Sequence, residues 1–351
     1  MDRDDMRGES DLTTLDGTAD SGGHAMTGEP RRSFRVAAGA GLAQQHTVKN
    51  AINCVGIGLH SGKTVSMTLK PGAPDSGIVF HRTDLAGDAA RIAARYDAVD
   101  DTILCTRLAN RHGAHVGTVE HLLSALAGLG IDNAVIELDG PEVPAMDGSA
   151  SPFVFLIECA GTVAQAAVRR AIRILRPIEV VEGEKSVRLE PHDPGSPQAG
   201  SGTFLMDVTI DFESRAIGLQ QIRMGLTGSA FKSELARART FGFLHEVHHL
   251  QSRGLALGGT LANAIVIQGD RVMNDDGLRF RDEFVRHKAL DAIGDLYLAG
   301  RPIVGRFRGV QPGHKLNNLL LRALFADPSA WRLIDLPATA QAADMAEATA
   351  S

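Results

Sequence analysis

The chain has 351 residues, material for about two domains. Hydrophobic residues make up 44% and charged residues 22%, which describes a globular protein with a core; no apolar run nears the roughly 20 residues a membrane-spanning helix needs. A net charge of −6 argues against a nucleic-acid partner, and three cysteines without a C-x-x-C pair exclude a disulfide scaffold and a thiolate zinc finger and suit a reducing cytoplasm.

Residues 1–44 hold eight acidic residues, five basic residues and seven glycines, with no apolar periodicity. Such a segment cannot bury enough surface to offset its ordering entropy, so a disordered tail is expected. Its acids and its lack of an apolar h-region argue against a targeting peptide. Residues 64–70 alternate apolar and polar, and 77–81 carry Ile78, Val79 and Phe80, so both stretches read as strands. A helix is expected at 118–129, with Thr118 as N-cap and Leu122, Ala125, Leu126 and Leu129 on one stripe, closed by Gly130. A strand at 133–138 and a helix at 151–160 follow. Residues 161–170 are the expected boundary between a first domain, 45–166, and a second, 167–335.

In the second half 172–181, 186–190 and 204–212 read as strands, 230–237 as a helix and 265–268 as a strand. A long helix at 283–299, Gly300, a strand at 303–308 and a helix at 315–326 come next, before a frayed Ala-rich end at 336–351. Both halves thus run strands, helix, glycine, strand. Val119-Glu120-His121 and Val285-Arg286-His287 place similar histidines on similar helices, 287 − 121 = 166 residues apart. The expectation is an α+β protein with a site between two similar halves.

Thirteen histidines are the compositional oddity. On a wheel of helix 283–299, Val285, Ala289, Leu290, Ala292, Ile293, Leu296 and Tyr297 share one broad face. His287, Asp291 and Asp295 line the other at i, i+4 and i+8, beside Lys288. H-x-x-x-D lets an imidazole and a carboxylate converge on one metal, although a solvated face has the same pattern. Glu120-His121 supplies what a His2Asp site for metal-assisted hydrolysis still lacks, a second imidazole and a carboxylate base. A competing signal is His245-Glu246-Val247-His248-His249, an H-E-x-x-H match that would make the chain a zinc metallopeptidase using His245, Glu246 and His249, with Glu283 a candidate distant ligand. Leu255 stands where a metzincin has its third histidine. Gly56-Ile57-Gly58 is no dinucleotide fingerprint, because its next glycine, Gly62, comes one position late and a strand follows. No G-x-S-x-G elbow or P-loop occurs.

Six stretches then fall in order: 56–63 (GIGLHSGK), 118–122 (TVEHL), 144–149 (PAMDGS), 239–243 (RTFGF), 282–295 (DEFVRHKALDAIGD) and 313–318 (GHKLNN). Together they resemble the UDP-3-O-acyl-N-acetylglucosamine deacetylase family of lipid A biosynthesis, from about residue 46 to residue 330. The resemblance implies two domains, each a layer of sheet against a layer of helices, with the helices facing and the active site at the junction. It implies zinc, with Fe2+ as the alternative in the cell, on His121, His287 and Asp291. Glu120 falls on the general base, His314 on the general acid or electrostatic partner, and Asp295 on the carboxylate that orients this histidine. Thr240 and Lys288 match oxyanion and substrate contacts, and Phe241 and Cys105 further substrate contacts. Residues 243–263 correspond to an insertion walling an acyl-chain tunnel, which makes the H-E-x-x-H match a decoy. The implied reaction is hydrolysis of the N-acetyl group of UDP-3-O-acyl-N-acetylglucosamine, the committed step of lipid A biosynthesis, by a cytoplasmic monomer that touches the membrane peripherally through its acylated product.

Overall fold

A computed structural model describes residues 41–195 and 202–338. The first half contains β1 (Gln44–Val48), β2 (Ile52–Ile57), β3 (Thr64–Pro71), β4 (Ile78–Arg82), β5 (Arg91–Ala93), β6 (Val99–Asp101), β7 (Arg107–Ala109), β8 (His115–Val116), α1 (Glu120–Gly128), β9 (Ala134–Leu138), α2 (Ser151–Ala160) and β10 (Thr162–Val168). The second contains β11 (Arg170–Ile174), β12 (Ile178–Glu182), β13 (Lys185–Glu190), β14 (Phe204–Asp211), β15 (Leu219–Leu226), a single turn α3 (Gly228–Ala230), β16 (Phe241–Phe243), α4 (Leu244–Ser252), β17 (Ile265–Gln268), β18 (Arg271–Val272), α5 (Glu283–Tyr297), β19 (Ile303–Val310), α6 (His314–Ala326) and β20 (Trp331–Asp335).

Alternation decides which face of the first sheet is covered. In β3 the side chains of Val65, Met67 and Leu69 turn inward and are buried while their neighbours are not. The sheet runs β2-β3-β9-β4-β5, with β4 and β9 parallel and α1 in the crossover between them. The second sheet repeats the device: β14 and β19 are parallel, and α5 lies in their crossover. Its path is β12-β13-β19-β11-β20, with β14 and β15 branching from β19. β19 changes neighbours from β11 to β14 at Gly305, whose φ of +153° and close approach to the Glu190 carbonyl leave no room for a side chain.

The two helical layers meet at α1 and α5. Both helices are buried almost all round, because each has a sheet behind it and the other helix in front. One continuous apolar cluster joins Leu122, Leu126 and Phe153 of the first half to Phe284, Leu290, Ile293 and Leu320 of the second. At roughly 1.5–3 kcal/mol for each such side chain removed from water, this contact is enough to fix the helix pair that carries the site.

Several expectations are corrected. Thr118 is no N-cap: at φ +56° it lies outside the helix, and its hydroxyl donates to Glu142 at 3.0 Å. The run 172–181 is two strands, β11 and β12, broken at Leu175–Pro177 by a proline that has no ladder donor. The helix expected at 230–237 is the short α3 followed by a π-helical turn, Phe231–Leu235. The stretch 161–170 contains β10, hydrogen-bonded to β1. Of the tails assigned to 1–44 and 336–351, Ala43 and Leu336 are buried and Leu42 bridges Pro337, and the rest lies outside the described residues apart from a few at each end. Among the described residues no helix is long and apolar enough to cross a membrane.

Candidate active site

The ligand-bearing helices approach backbone to backbone. A Cβ built on Gly294 of α5 would stand 2.0 Å from the carbonyl oxygen of Glu120, so only glycine fits this crossing. The approach brings the first turn of α1 against the middle of α5. It thereby places His121 beside His287 and Asp291, which share one face of α5 at i and i+4.

One ligand atom from each of His121, His287 and Asp291 lies within 4.8 Å of the others, and all three residues are buried. Asp291 Oδ1 is 3.4 Å from His121 Nε2 and 3.3 Å from His287 Nε2. The same oxygen is buried and accepts no hydrogen bond within the described structure. A buried carboxylate oxygen without a donor, facing two imidazole nitrogens, fits a divalent cation bound among the three. His287 Nδ1 lies 3.1 Å from the Ala238 carbonyl, which favours the tautomer with its proton on Nδ1 and leaves Nε2 as the donor to a metal. Burial, reinforced by the neighbouring His121 and the Lys288 ammonium, pushes His287 down to about 3, so the ring is neutral as a ligand must be. Burial alone would raise Asp291, but His287 and Lys288 outweigh it and hold the carboxyl well below the usual carboxylate range.

A second set of charges stands next to the first. His314, the first residue of α6, has Nδ1 2.9 Å from Asp295 Oδ2 and Nε2 3.9 Å from Glu120 Oε1. Burial would lower the imidazole, but Asp295 and Glu120 together raise it to about 9, so it is cationic at neutral pH. Burial raises the Glu120 carboxyl above its ordinary value, against the pull of His314 and His121. Lys288 sends Nζ to Asp291 Oδ2 at 2.9 Å and stands 5.6 Å from the centre of the Phe241 ring. Phe241 in turn packs edge-on against Phe212 and Phe284.

The model of the LpxC family, UDP-3-O-acyl N-acetylglycosamine deacetylase, matches residues 45–326. The chain belongs to that family. It is 52% identical over 289 residues to the UDP-3-O-acyl-N-acetylglucosamine deacetylase of Phenylobacterium zucineum, covering 82% of this chain and 96% of the relative. Identity is 48% over 295 residues, or 84% and 93% of the two chains, to the enzyme of the same name from Haemophilus influenzae. With that of Acidithiobacillus ferrooxidans it is 51% over 296 residues, 84% and 94% of the two chains. The family match contains every residue of the buried cluster.

The other residues singled out from the sequence differ in where they lie. The backbone of Thr240 is pinned on both sides, its N–H donating to the Gly148 carbonyl and its carbonyl accepting from Ile265, and its methyl packs where Gly148 leaves space. Cys105 is buried, and burial reinforced by Glu120 pushes its thiol up to about 12, so it stays neutral. The H-E-x-x-H residues are not brought to the centre: His245, Glu246 and His249 are exposed on α4. Glu283, the distant ligand considered for that motif, is fully buried and takes two hydrogen bonds on Oε1 from Arg239, one from its N–H and one from Nε. Two residues of the site are not among the roles assigned from the sequence. Thr106 donates its hydroxyl to Asp295 Oδ1 at 2.6 Å, and Asn317 donates Nδ2 to Asp295 Oδ2 at 2.9 Å. Only Asn317 was findable, standing one helical turn after His314.

Proposed function

We propose that this chain hydrolyses the N-acetyl group of UDP-3-O-acyl-N-acetylglucosamine, giving UDP-3-O-acyl-glucosamine and acetate, the committed step of lipid A biosynthesis. The reading rests above all on the orphaned Asp291 Oδ1 between His121 and His287, with Glu120 and a cationic His314 beside it. It draws further support from the names of the relatives. We assign Zn2+ to the three ligands, with Fe2+ as the alternative in the cell; borderline divalent ions suit two imidazoles and one carboxylate. When bound there, such an ion would supply Lewis acidity, which would make the acetamide carbonyl more electrophilic and a water more acidic, toward a pKa of about 7.

The protein groups supply the rest. Glu120 takes the proton of the attacking water on Oε1, since its other oxygen is engaged by the Thr106 N–H. Negative charge developing on the carbonyl oxygen is met by the Lys288 ammonium and the Thr240 hydroxyl in a cleft with little water. An amine leaves poorly unless protonated, and His314 is cationic with Nε2 on the Glu120 side to provide that proton. Asp295 holds its Nδ1 and fixes the ring. Phe241 offers the sugar a face beside Lys288, and Cys105 forms neutral wall. The ring cluster Phe212, Phe241 and Phe243 marks where the acyl chain would enter beside the 243–263 segment. We place the enzyme in the cytoplasm as a monomer: its three described cysteines are free, and one chain supplies the whole set of groups. Membrane contact would be peripheral, through the acylated product. Release of acetate from the UDP-acylated sugar, abolished by a chelator and restored by Zn2+, is the expected result; full activity after exhaustive chelation would overturn the reading.

A further inference from the structure

We infer that Thr106 is a positioning residue that holds Glu120 and Asp295 in the orientation in which each carboxylate turns an oxygen to His314, an inference that rests on the deacetylase reading of the same site. Leu104, at φ +67°, turns the chain just before β7, so that Ile103 and Leu104 stay exposed while Cys105 and Thr106 point inward. Thr106 is 1% exposed. Its backbone carbonyl accepts from Val119 N–H at 3.4 Å and its N–H donates to Glu120 Oε2 at 3.0 Å, which ties it to the start of α1. Its hydroxyl reaches across to the other half and donates to Asp295 Oδ1 at 2.6 Å.

One residue therefore touches the two carboxylates on either side of a single imidazole. Each carboxylate has one oxygen held by Thr106 and the other turned to His314: Glu120 Oε1 toward Nε2 and Asp295 Oδ2 toward Nδ1. Without the hydroxyl, Asp295 Oδ1 would be buried with one donor fewer, and rotation of that carboxylate would carry the imidazole with it. A donor on a β-branched side chain suits the task, since χ1 has few alternatives. Asn317 holds Asp295 only on the oxygen that faces His314, so it cannot stop the carboxylate from pivoting about that oxygen.

The test is Thr106→Val, which keeps shape and the backbone N–H but removes the hydroxyl, compared with Thr106→Ser, which restores a hydroxyl. The expected result for Thr106→Val is kcat lower by roughly 10- to 100-fold, the usual effect of a small misplacement of a catalytic group, at unchanged KM and full metal content. Thr106→Ser should recover most of the loss. In NMR, the low-field Nδ1–H resonance of His314 should be present in wild type and the Ser variant and shifted or broadened in the Val variant. If Thr106→Val fails to fold, Thr106→Cys, with a weaker donor, should give a kcat between those of wild type and a His314 variant. Wild-type kcat in Val or Cys, or equal loss in Val and Ser, would overturn the inference. Inactivity of the wild-type holoenzyme would instead overturn the deacetylase reading, and the His314 resonance would still decide the role of Thr106.

Discussion

Gly294→Ala is the smallest change that should disable the centre without touching a ligand. On propensity alone, alanine in place of a helical glycine would stabilise α5 by about 1 kcal/mol. The geometry opposes this. The new Cβ would lie 2.0 Å from the Glu120 carbonyl oxygen, 2.8 Å from its carbon and 3.0 Å from its Cα. Ordinary contact begins near 3.4 Å, so the first turn of α1 must retreat by about 3.4 − 2.0 = 1.4 Å. The obstacle is backbone and cannot rotate away, and overpacking of this kind costs about 1–3 kcal/mol. His121 travels with Glu120 while His287 and Asp291 stay on α5, so the 3.4 Å approach of His121 Nε2 to Asp291 opens. We expect metal affinity, measured by competition with a chromophoric chelator, to fall by roughly 10- to 100-fold. The melting temperature of the metal-free protein should also drop, the clash outweighing the propensity gain. Unchanged affinity together with an unchanged or raised melting temperature would refute the reasoning, since α1 and α5 could then not be in contact at this point.

Four further outcomes are expected. His121→Ala and Asp291→Ala should each bind well under one equivalent of metal by elemental analysis, whereas Glu120→Ala should stay loaded and lose most activity; full occupancy in both ligand variants would move the centre elsewhere. His245→Ala and His249→Ala should leave metal content and rate unchanged because both side chains are exposed on α4, and metal loss in either would revive the H-E-x-x-H motif. The pH profile should be a bell. Glu120, raised by burial, must lose its proton, which places the acidic limb above the ordinary carboxylate value of about 4.3. His314 is protonated below about 9 and neutral above it, so activity falls as pH rises through about 9. His314→Gln should reduce the rate by roughly 10² to 10⁴ with metal retained, and a substrate with a better leaving group should recover much of it. Equal losses on both substrates would show that the residue acts by position and charge instead.

What the sequence makes legible follows the strength of its periodic signals. α2, β17 and α5 lie where spacing puts them, because each has a run of apolar residues at one clear period. β15 gives no clear signal, since Leu219–Leu226 reads LQQIRMGL, with three polar side chains and a glycine among eight residues; only pairing along the whole of β14 makes it a strand. β20 escaped for a similar reason, with Arg332 and Asp335 in a five-residue stretch held by β11. The polar row His287, Asp291 and Asp295 was open between a solvated face and a metal site. Its burial could not be read from α5 alone, because α1 covers that face and lies more than 150 residues away in the chain. Thr106 is harder still: its role comes from a turn at Leu104 and from Asp295 in the other half, and neither leaves a local pattern.

The division of ligands between α1 and α5 has a thermodynamic corollary. A cation that needs His121 from one half and His287 with Asp291 from the other binds only while the halves are docked, so by mass action it acts as a clasp on the whole chain. At a free metal concentration one hundredfold above Kd the clasp adds about 2.7 kcal/mol, a large share of the 5–15 kcal/mol that holds an ordinary domain folded. When metal is scarce the clasp opens, and the population of loosened molecules available to proteases rises by about the same hundredfold. The amount of this protein in a cell would then track metal supply, and turnover would be decided where α1 crosses Gly294.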